Sequence, residues 1–294
     1  MSSSLTEAQT TAYWEDGFLF PLQVLTTDHA QDYRARLERL EKDYADPERA
    51  AELPRSLADY KRVHSEVVMP MAAELALNSA VLDAVESIIG PNLMIWGAEF
   101  FIKEPHTPQR VSMHQDLTYW GFGATSNQVT AWIALSPSNV ESGCMDLVKG
   151  SHKNEILPHN DTHASDNLLS RGQEVAVEIT QADRTHVVLQ PGEMSLHHGL
   201  TIHGSNPNQS DDRRIGFAIR YINTEATQQT VEREYALLAR GVDRSQAFIH
   251  YSAPQRLFGH THLKLYEEIR EQQARVLGAG MKGDKQLYNS SVVI

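Results

Sequence analysis

The chain has 294 residues, of which 41% are hydrophobic and 22% charged, as in globular proteins that bury a core. Its formal net charge of -12 argues against a nucleic-acid or anionic-membrane partner, because phosphate groups are bound mainly by Lys and Arg. The only cysteine, Cys144, excludes an internal disulfide and a Cys-rich metal site. Because no leader opens the chain and no apolar run approaches membrane-spanning length, we expect a cytoplasmic protein.

The first third of the chain predicts helices. A capping box begins at Thr6, and Gly17 ends the helix that follows it. Residues 28–44 carry an apolar stripe on a charged background, and residues 71–89 have apolar side chains at helical spacing. Between them, residues 46–62 are polar and contain two prolines, which predicts a loop that folds over a site.

Beyond residue 91 the hydrophobic period becomes two, which predicts a run of short strands. They are expected at 93–103, 111–115, 128–136, 145–148, 186–189, 193–198, 200–205 and 214–221. The tail returns to helical periodicity at 231–238 and 263–276. Strands without intervening helices favour a mainly β fold with flanking helices, whose core is a jelly roll, the cupin-like double-stranded β-helix. We expect one domain over 1–294, with a helical part at 1–90, the core at 91–222 and a second helical part at 223–294.

The triplet His114-Gln115-Asp116 is the first candidate site. Side chains two apart on a strand share a face, so His114 and Asp116 can converge on one ion. His203, which lies 87 residues beyond Asp116, completes a set of two histidines and one carboxylate. Such a set binds Fe(II) and leaves coordination positions of the metal open. His197 is in phase with His203 and is the alternative third ligand. A surface loop with polar side chains is the alternative for the triplet.

The last predicted strand of the core has one polar face. Arg214, Gly216, Ala218 and Arg220 alternate with apolar residues, so two guanidinium groups are separated by small side chains. Arg214 offers a planar, always charged fork for a dicarboxylate such as 2-oxoglutarate. A solvent-facing strand would also carry Arg, but it has no need of small residues between the charges.

The ordered motifs resemble the phytanoyl-CoA dioxygenase family of Fe(II)/2-oxoglutarate oxygenases over most of the chain. The resemblance rests on the triplet at 114–116 and on four further segments. They are VTAWIAL from Val129, GCM from Gly143, GSHK from Gly150, and HGS from His203 through Arg214. The segments WGAEFFIK from Trp96 and GFAIRY from Gly216 are similar to the branch that contains non-haem iron chlorinases. Chlorinases have a small residue in place of the carboxylate ligand, whereas this chain has Asp116, which points to hydroxylation.

The resemblance implies roles for individual residues. His114, Asp116 and His203 would bind Fe(II), and Arg214, helped by Ser205, would bind the distal carboxylate of 2-oxoglutarate. Trp132, with Thr130 on the same strand face, would wall the co-substrate pocket. The implied reaction uses O2 to hydroxylate an aliphatic C–H bond, with release of succinate and CO2.

The substrate is less determined. Trp120 and Tyr119 lie where relatives place substrate-facing aromatic residues, and both could equally be core residues under a loop. Glu99, Phe101 and Lys103 share a strand face, so Phe101, Lys103 and Arg220 are substrate candidates if that face is inward. If it is outward, Glu99 and Lys103 form a surface pair.

Low basic content favours a small polar metabolite or natural-product intermediate over a CoA- or carrier-tethered acyl group. Residues 46–62 and 159–172 are candidate lids, and the oligomeric state is left open. Two other classes remain open at this point, a ligand-binding jelly roll without catalysis and a zinc hydrolase.

Overall fold

The computed structural model describes residues 4–169, 172–229 and 233–277, in which helices precede and follow a β-rich core. The helices are α1 Glu7–Asp16, α2 Thr27–Asp43, α3 Pro47–Ala50, α4 Leu57–Arg62, α5 Ser65–Val68, α6 Pro70–Ala76, α7 Ser79–Ile89 and α8 His260–Leu277. The capping box at Thr6 forms as predicted, and Gly17 ends α1 in the left-handed conformation. No helix within the described ranges has the length and apolar character needed to cross a membrane.

The core is built from thirteen strands of the described chain. They are β1 Phe18–Gln23, β2 Leu93–Lys103, β3 Val111–His114, β4 Gln128–Ala134, β5 Met145–Val148, β6 His159–Asp161, β7 Gln173–Val175, β8 Arg184–Val187, β9 Glu193–His197, β10 His203–Ser205, β11 Arg214–Asn223, β12 Tyr235–Arg240 and β13 Ile249–His250. A seven-stranded sheet has the order β1-β9-β4-β11-β2-β12-β13, and a four-stranded sheet has the order β3-β10-β5-β8. The two sheets enclose a cavity lined by both, which confirms the predicted jelly roll.

Strand β11 lies at the centre of the large sheet, paired with β2 on one side and β4 on the other. Its apolar side chains, Ile215, Phe217, Ile219 and Tyr221, belong to the main hydrophobic core together with residues of α6 and α7. The Tyr221 hydroxyl donates to the carbonyl of Ala76 in α6. The opposite face of β11 therefore points into the cavity between the sheets.

Three helical predictions need correction. Residues 46–62, predicted to be a loop, contain the short helices α3 and α4. The helix expected over 71–89 is two helices, because the chain turns at Leu77 and Asn78, and the Asn78 side chain caps α7. The helix expected over 231–238 is wrong for Tyr235–Leu238, which belong to strand β12, while residues 231 and 232 lie outside the described residues.

Packing explains the last of these errors. Strand β12 pairs with β2, whose free edge it covers, so tertiary hydrogen bonding outweighs the helical periodicity of the segment. The eight predicted strands all form, although β8 begins two residues before its expected start and β10 includes only the end of 200–205. The helix predicted at 263–276 is confirmed by α8. Strands β1, β6, β7 and β13 and helix α5 were not predicted.

Candidate metal centre

Two adjacent strands and one turn bring the predicted metal ligands together. His114 ends β3, His203 begins β10, and the two are opposite each other in the antiparallel register. Asp116 lies in the 3-10 turn that follows β3. Its Oδ1 lies 3.4 Å from His114 Nε2 and 3.9 Å from His203 Nε2. One ligand atom from each residue therefore fits around a single ion.

Backbone carbonyls fix the orientation of both imidazoles. His114 Nδ1 lies 2.9 Å from the Ser112 carbonyl and 3.0 Å from that of His203, and His203 Nδ1 lies 2.9 Å from the Thr201 carbonyl. Carbonyl oxygens only accept, so the Nδ1 atoms carry the protons and each Nε2 keeps its lone pair. This is the tautomer that a metal-binding histidine uses.

The protonation states also suit a divalent ion. Burial lowers the pKa of His203 well below its usual value, which keeps the ring neutral. Burial alone would raise the pKa of Asp116, but the neighbouring imidazoles of His203 and His114 hold it well below its usual value. Metal ligands must be deprotonated, and both groups meet this condition near neutral pH.

The second oxygen of Asp116 is held away from the imidazole pair. Thr130 Oγ1 donates to Asp116 Oδ2 at 3.2 Å, and Gln128 Nε2 donates in turn to Thr130 Oγ1 at 2.9 Å. His197 Nε2 lies 3.5 Å from the same Oδ2. His197 is thus beside the carboxylate and outside the group of three ligands, which favours His203 as the third ligand.

A narrow cavity extends from the triad to Arg214 between the two sheets. Arg214 is buried, and its Nη1 donates to the Gly143 carbonyl at 2.7 Å. Its Cζ lies 5.3 Å from the centroid of the Trp132 ring, on which the guanidinium stacks. Its Nε has no partner, and no carboxylate among the described residues pairs with it. Burial lowers the pKa of Arg214 to about 10, so the group is still charged near neutral pH. A buried charge without a counterion is costly, so the cavity is suited to an anion.

The small residues of β11 make room for neighbouring side chains as well as for the cavity. A Cβ at position 216 would lie 1.8 Å from Cζ2 of Trp132, so the space beside Gly216 is filled by the tryptophan ring. Ala218 and both arginines line the cavity. The polar face of β11 is inward, as the spacing of its residues indicated.

Lys103 does not occupy the position expected of a substrate residue. It is fully buried under the anion cavity and donates to Ser205 Oγ at 2.6 Å and to the carbonyl of Asn206. It lines neither cavity. Burial, reinforced by Arg214, lowers the pKa of Lys103 to about 5. Ser205 lines the anion cavity together with Arg214 and accepts a hydrogen bond from Lys103 Nζ.

The alternative of a Glu99–Lys103 surface pair is wrong, since both side chains are buried. Glu99 instead pairs with Arg220. The reason is the strand register, which places Ala218 opposite Glu99 and leaves Arg220 two residues along on the same face.

A larger chamber lies on the other side of the triad, and we call it the substrate chamber. Its walls include His64, Trp96, Glu99, Phe101, His114, Asp116, Tyr119, Trp120, Leu169 and Arg220. The rings of Trp96 and Trp120 are 5.2 Å apart, and Arg220 Cζ lies 5.0 Å from the centroid of Trp120. Phe101, Arg220 and the ligands His114 and Asp116 line both cavities, so the triad lies where they meet.

Segments around the chamber include both predicted lids. Arg62 of α4 donates to the carbonyl of Leu168, which joins the 46–62 and 159–172 segments. Lys61 and Arg62, at the end of the predicted 46–62 lid, line the chamber, and so does His64, which the sequence analysis did not single out. A histidine two residues beyond a polar segment was the available signal.

A second group of possible ligands, Cys144, Asp146 and His186, lies on the outer side of the small sheet. His186 Nδ1 is hydrogen-bonded directly to Asp146 at 2.5 Å, and Arg184 pairs with the same carboxylate. Burial raises the pKa of the Cys144 thiol to about 11. These contacts make the group a structural ion pair beside a protonated thiol.

The family model described as phytanoyl-CoA dioxygenase (PhyH) matches residues 13–216. Phytanoyl-CoA dioxygenase, peroxisomal, of Rattus norvegicus is 25% identical over 248 residues, which cover 77% of this chain and 73% of the relative. A probable alpha-ketoglutarate-dependent hypophosphite dioxygenase of Stutzerimonas stutzeri is 28% identical over 158 residues, covering 52% of this chain and 53% of the relative.

Solved structures extend the similarity to the tail. The non-heme monooxygenase ThoJ, in its apo form, superposes with a TM-score of 0.81 at 29% identity, covering 92% of this chain and 97% of ThoJ. CytC3 with Fe(II) and alpha-ketoglutarate has a TM-score of 0.62 at 21% identity, covering 88% of this chain and 97% of CytC3, and shares the fold.

Proposed function

Because the chain belongs to the phytanoyl-CoA dioxygenase family of Fe(II)- and 2-oxoglutarate-dependent oxygenases, we propose that it hydroxylates an aliphatic C–H bond of a small polar metabolite or natural-product intermediate. One observation carries the assignment of the site. A group of two oriented imidazoles and one carboxylate adjoins a buried guanidinium that lacks an anionic partner among the described residues. A three-ligand metal site beside an anion cavity fits a chelating keto acid.

His114, Asp116 and His203 are the proposed Fe(II) ligands, and Arg214 is the proposed partner of the distal carboxylate of 2-oxoglutarate. Bound iron supplies the oxidising chemistry, in which O2 and 2-oxoglutarate yield succinate, CO2 and a hydroxylated product. With iron bound, the carboxylate of Asp116 would be the ligand that the chlorinase branch lacks, which supports hydroxylation rather than halogenation.

Other side chains orient the metal ligands and line the two cavities. Thr130 holds Asp116 Oδ2, so that Oδ1 keeps its direction toward the imidazoles. Trp132 stacks on Arg214 and closes the anion cavity on one side. It would keep water away from Arg214 and the bound carboxylate of 2-oxoglutarate. Phe101, Tyr119, Trp120 and Arg220 line the substrate chamber and are the proposed substrate contacts. Lys103 is assigned to support of Ser205 rather than to the substrate.

The test begins without substrate. Anaerobic addition of Fe(II) and then 2-oxoglutarate should produce the visible charge-transfer band of a chelated keto acid, and neither component alone should produce it. Air and a panel of small amines, amino acids and phosphonates should then reveal compounds that raise succinate formation above the background. Phytanoyl-CoA in the same panel tests the tethered-acyl alternative.

The rival classes predict different results. A non-catalytic binding protein gives no succinate with any compound, and a zinc hydrolase turns over its substrate in the absence of oxygen. Failure of the charge-transfer band in correctly folded protein would remove the proposed roles of the triad and Arg214.

A further inference from the structure

His64 has a left-handed backbone, a conformation that is uncommon outside glycine and that His106 and His163 of this chain share. Its φ and ψ are both 46°, in the left-handed region, and it directly precedes α5. Non-glycine residues rarely take this conformation, and those that do cluster at functional sites, where surrounding contacts impose it. The side chain is buried and lines the substrate chamber.

A buried glutamate holds the imidazole in one orientation. His64 Nδ1 lies 3.1 Å from Glu66 Oε1, and the Tyr251 hydroxyl donates to the same oxygen at 3.0 Å. Glu66 Oε2 accepts the backbone N–H of Ala98 at 2.8 Å. Glu66 accepts hydrogen bonds from Tyr251 and Ala98, so its carboxylate is also an acceptor for His64 Nδ1–H, and in the tautomer that makes this hydrogen bond the lone pair lies at Nε2.

The neighbouring strand leaves room for this ring. A Cβ at Gly97 would lie 3.0 Å from His64 Cε1 and 3.2 Å from Nδ1, so the imidazole occupies the place of a side chain on β2. Gly97 is opposite Arg220 in the sheet, and the His64 ring lies 6.5 Å from that of Trp96. The imidazole therefore shares one wall of the chamber with the Trp96–Trp120 ring pair.

The other charged groups of the chamber already have partners. Glu99 pairs with Arg220, Lys61 pairs with Glu41 at 2.5 Å, and Arg62 donates to the Leu168 carbonyl. No described residue hydrogen-bonds to His64 Nε2. The Nε2 lone pair is thus an acceptor on the wall of the chamber, which is also lined by aromatic rings, by aliphatic side chains and by the amides of Gln115, Gln173 and Gln273.

We propose that His64 Nε2 accepts a hydrogen bond from an O–H or N–H group of the substrate, whose apolar part packs against Trp96 and Trp120. The substrate class is then an alcohol or amine with an apolar body. This inference rests on the proposed function, because it takes the chamber beside the triad as the place of the oxidised molecule.

Two measurements test the inference on the whole chain. Nitrogen NMR of ¹⁵N-histidine-labelled protein, assigned with His64→Phe, should show His64 protonated at Nδ1 and unprotonated at Nε2 at neutral pH. In the anaerobic complex with Fe(II) and 2-oxoglutarate, proton relaxation of benzyl alcohol and of benzyl methyl ether, enhanced by the paramagnetic iron, gives the affinity of each probe.

Wild type should bind the alcohol about three- to tenfold more tightly than the ether, the range expected for one hydrogen bond. His64→Phe should reduce this ratio to about one while the charge-transfer band still forms, and the surface control His29→Phe should keep it. An equal affinity for both probes in wild type, including no detectable binding of either, overturns the inference. So does a ratio that survives in His64→Phe, or a His64 ring protonated at Nε2. Loss of the charge-transfer band in wild type would instead refute the proposed function.

Discussion

His114 and His203 are partners in register across two antiparallel strands, and their ring centroids are 4.1 Å apart. The pairing also holds the His114 ring against the neighbouring strand, since His114 Nδ1 is hydrogen-bonded to the His203 carbonyl. Residues 89 positions apart in sequence thereby present two lone pairs beside one carboxylate. The geometry of the metal centre is set by rigid strands, and the consequences are testable residue by residue.

Asp116→Ala should abolish hydroxylation, because the metal loses its anionic ligand. We expect Fe(II) affinity to fall by at least about a hundredfold. This loss is larger than the one usual when a residue that only hydrogen-bonds to a metal ligand is replaced. Anaerobic Fe(II) titration and succinate assays measure both quantities. Asp43→Ala, which removes only a surface carboxylate paired with Arg49, is the matched control and should leave both unchanged. Full activity in Asp116→Ala would show that the ligand assignment is wrong.

Arg214→Gln should raise the 2-oxoglutarate concentration required for half-maximal activity by at least about thirtyfold, because a buried charge-assisted contact is lost. The KM for the hydroxylated substrate should change little. The neighbouring Arg213 lines neither cavity and pairs with Glu41 and Glu104, so Arg213→Gln is a control for loss of a half-buried, paired guanidinium. It should lower stability without a change in co-substrate affinity. Similar 2-oxoglutarate requirements in the two variants would remove Arg214 from the proposed site.

Arg220→Ala should alter activity while co-substrate affinity stays largely intact, since Arg220 faces the substrate chamber and pairs with Glu99. The change also leaves a buried carboxylate without its partner, which should cost about 3 kcal/mol in the free energy of unfolding. Urea denaturation measures this cost, and the double variant Arg220→Met with Glu99→Met should recover most of it. Equal losses of activity and of 2-oxoglutarate affinity would contradict the assignment.

Because Lys103 is buried, we expect the free energy of unfolding to depend on pH. Its pKa is about 5 in the folded chain, whereas an unfolded lysine titrates near ~10.4. Between these values the unfolded chain binds the additional proton, so the free energy of unfolding rises with pH by up to about 1.4 kcal/mol per pH unit. The gain is complete above the unfolded pKa and is lost as the pH falls toward 5.

Lys103→Met removes the titrating group and should flatten this dependence between about pH 7 and pH 9. Chemical denaturation at both pH values provides the comparison, and Lys149→Met is the control, because Lys149 lies on the surface beside Asp16. Identical slopes in wild type and Lys103→Met would mean that the buried amine keeps its proton.

Residue types and local periodicity were enough to predict the fold class and the type of metal centre. Alternation of period two is a local property of each strand, so β2 and β5 were predicted to the residue. The set of two histidines and one aspartate, with a downstream arginine, is defined by residue type and strand phase. Both are readable without knowledge of the packing.

Which side chains share a cavity depends on how distant segments pack, and the sequence pattern did not show it. Glu99 pairs with Arg220 because of strand register, and Tyr235–Arg240 forms a strand because β2 offers an open edge. His64 reaches the substrate chamber through a left-handed backbone and the absence of a side chain at Gly97. These contacts join residues far apart in sequence, and the free energy that fixes them comes from burial and cross-strand hydrogen bonds rather than local propensity.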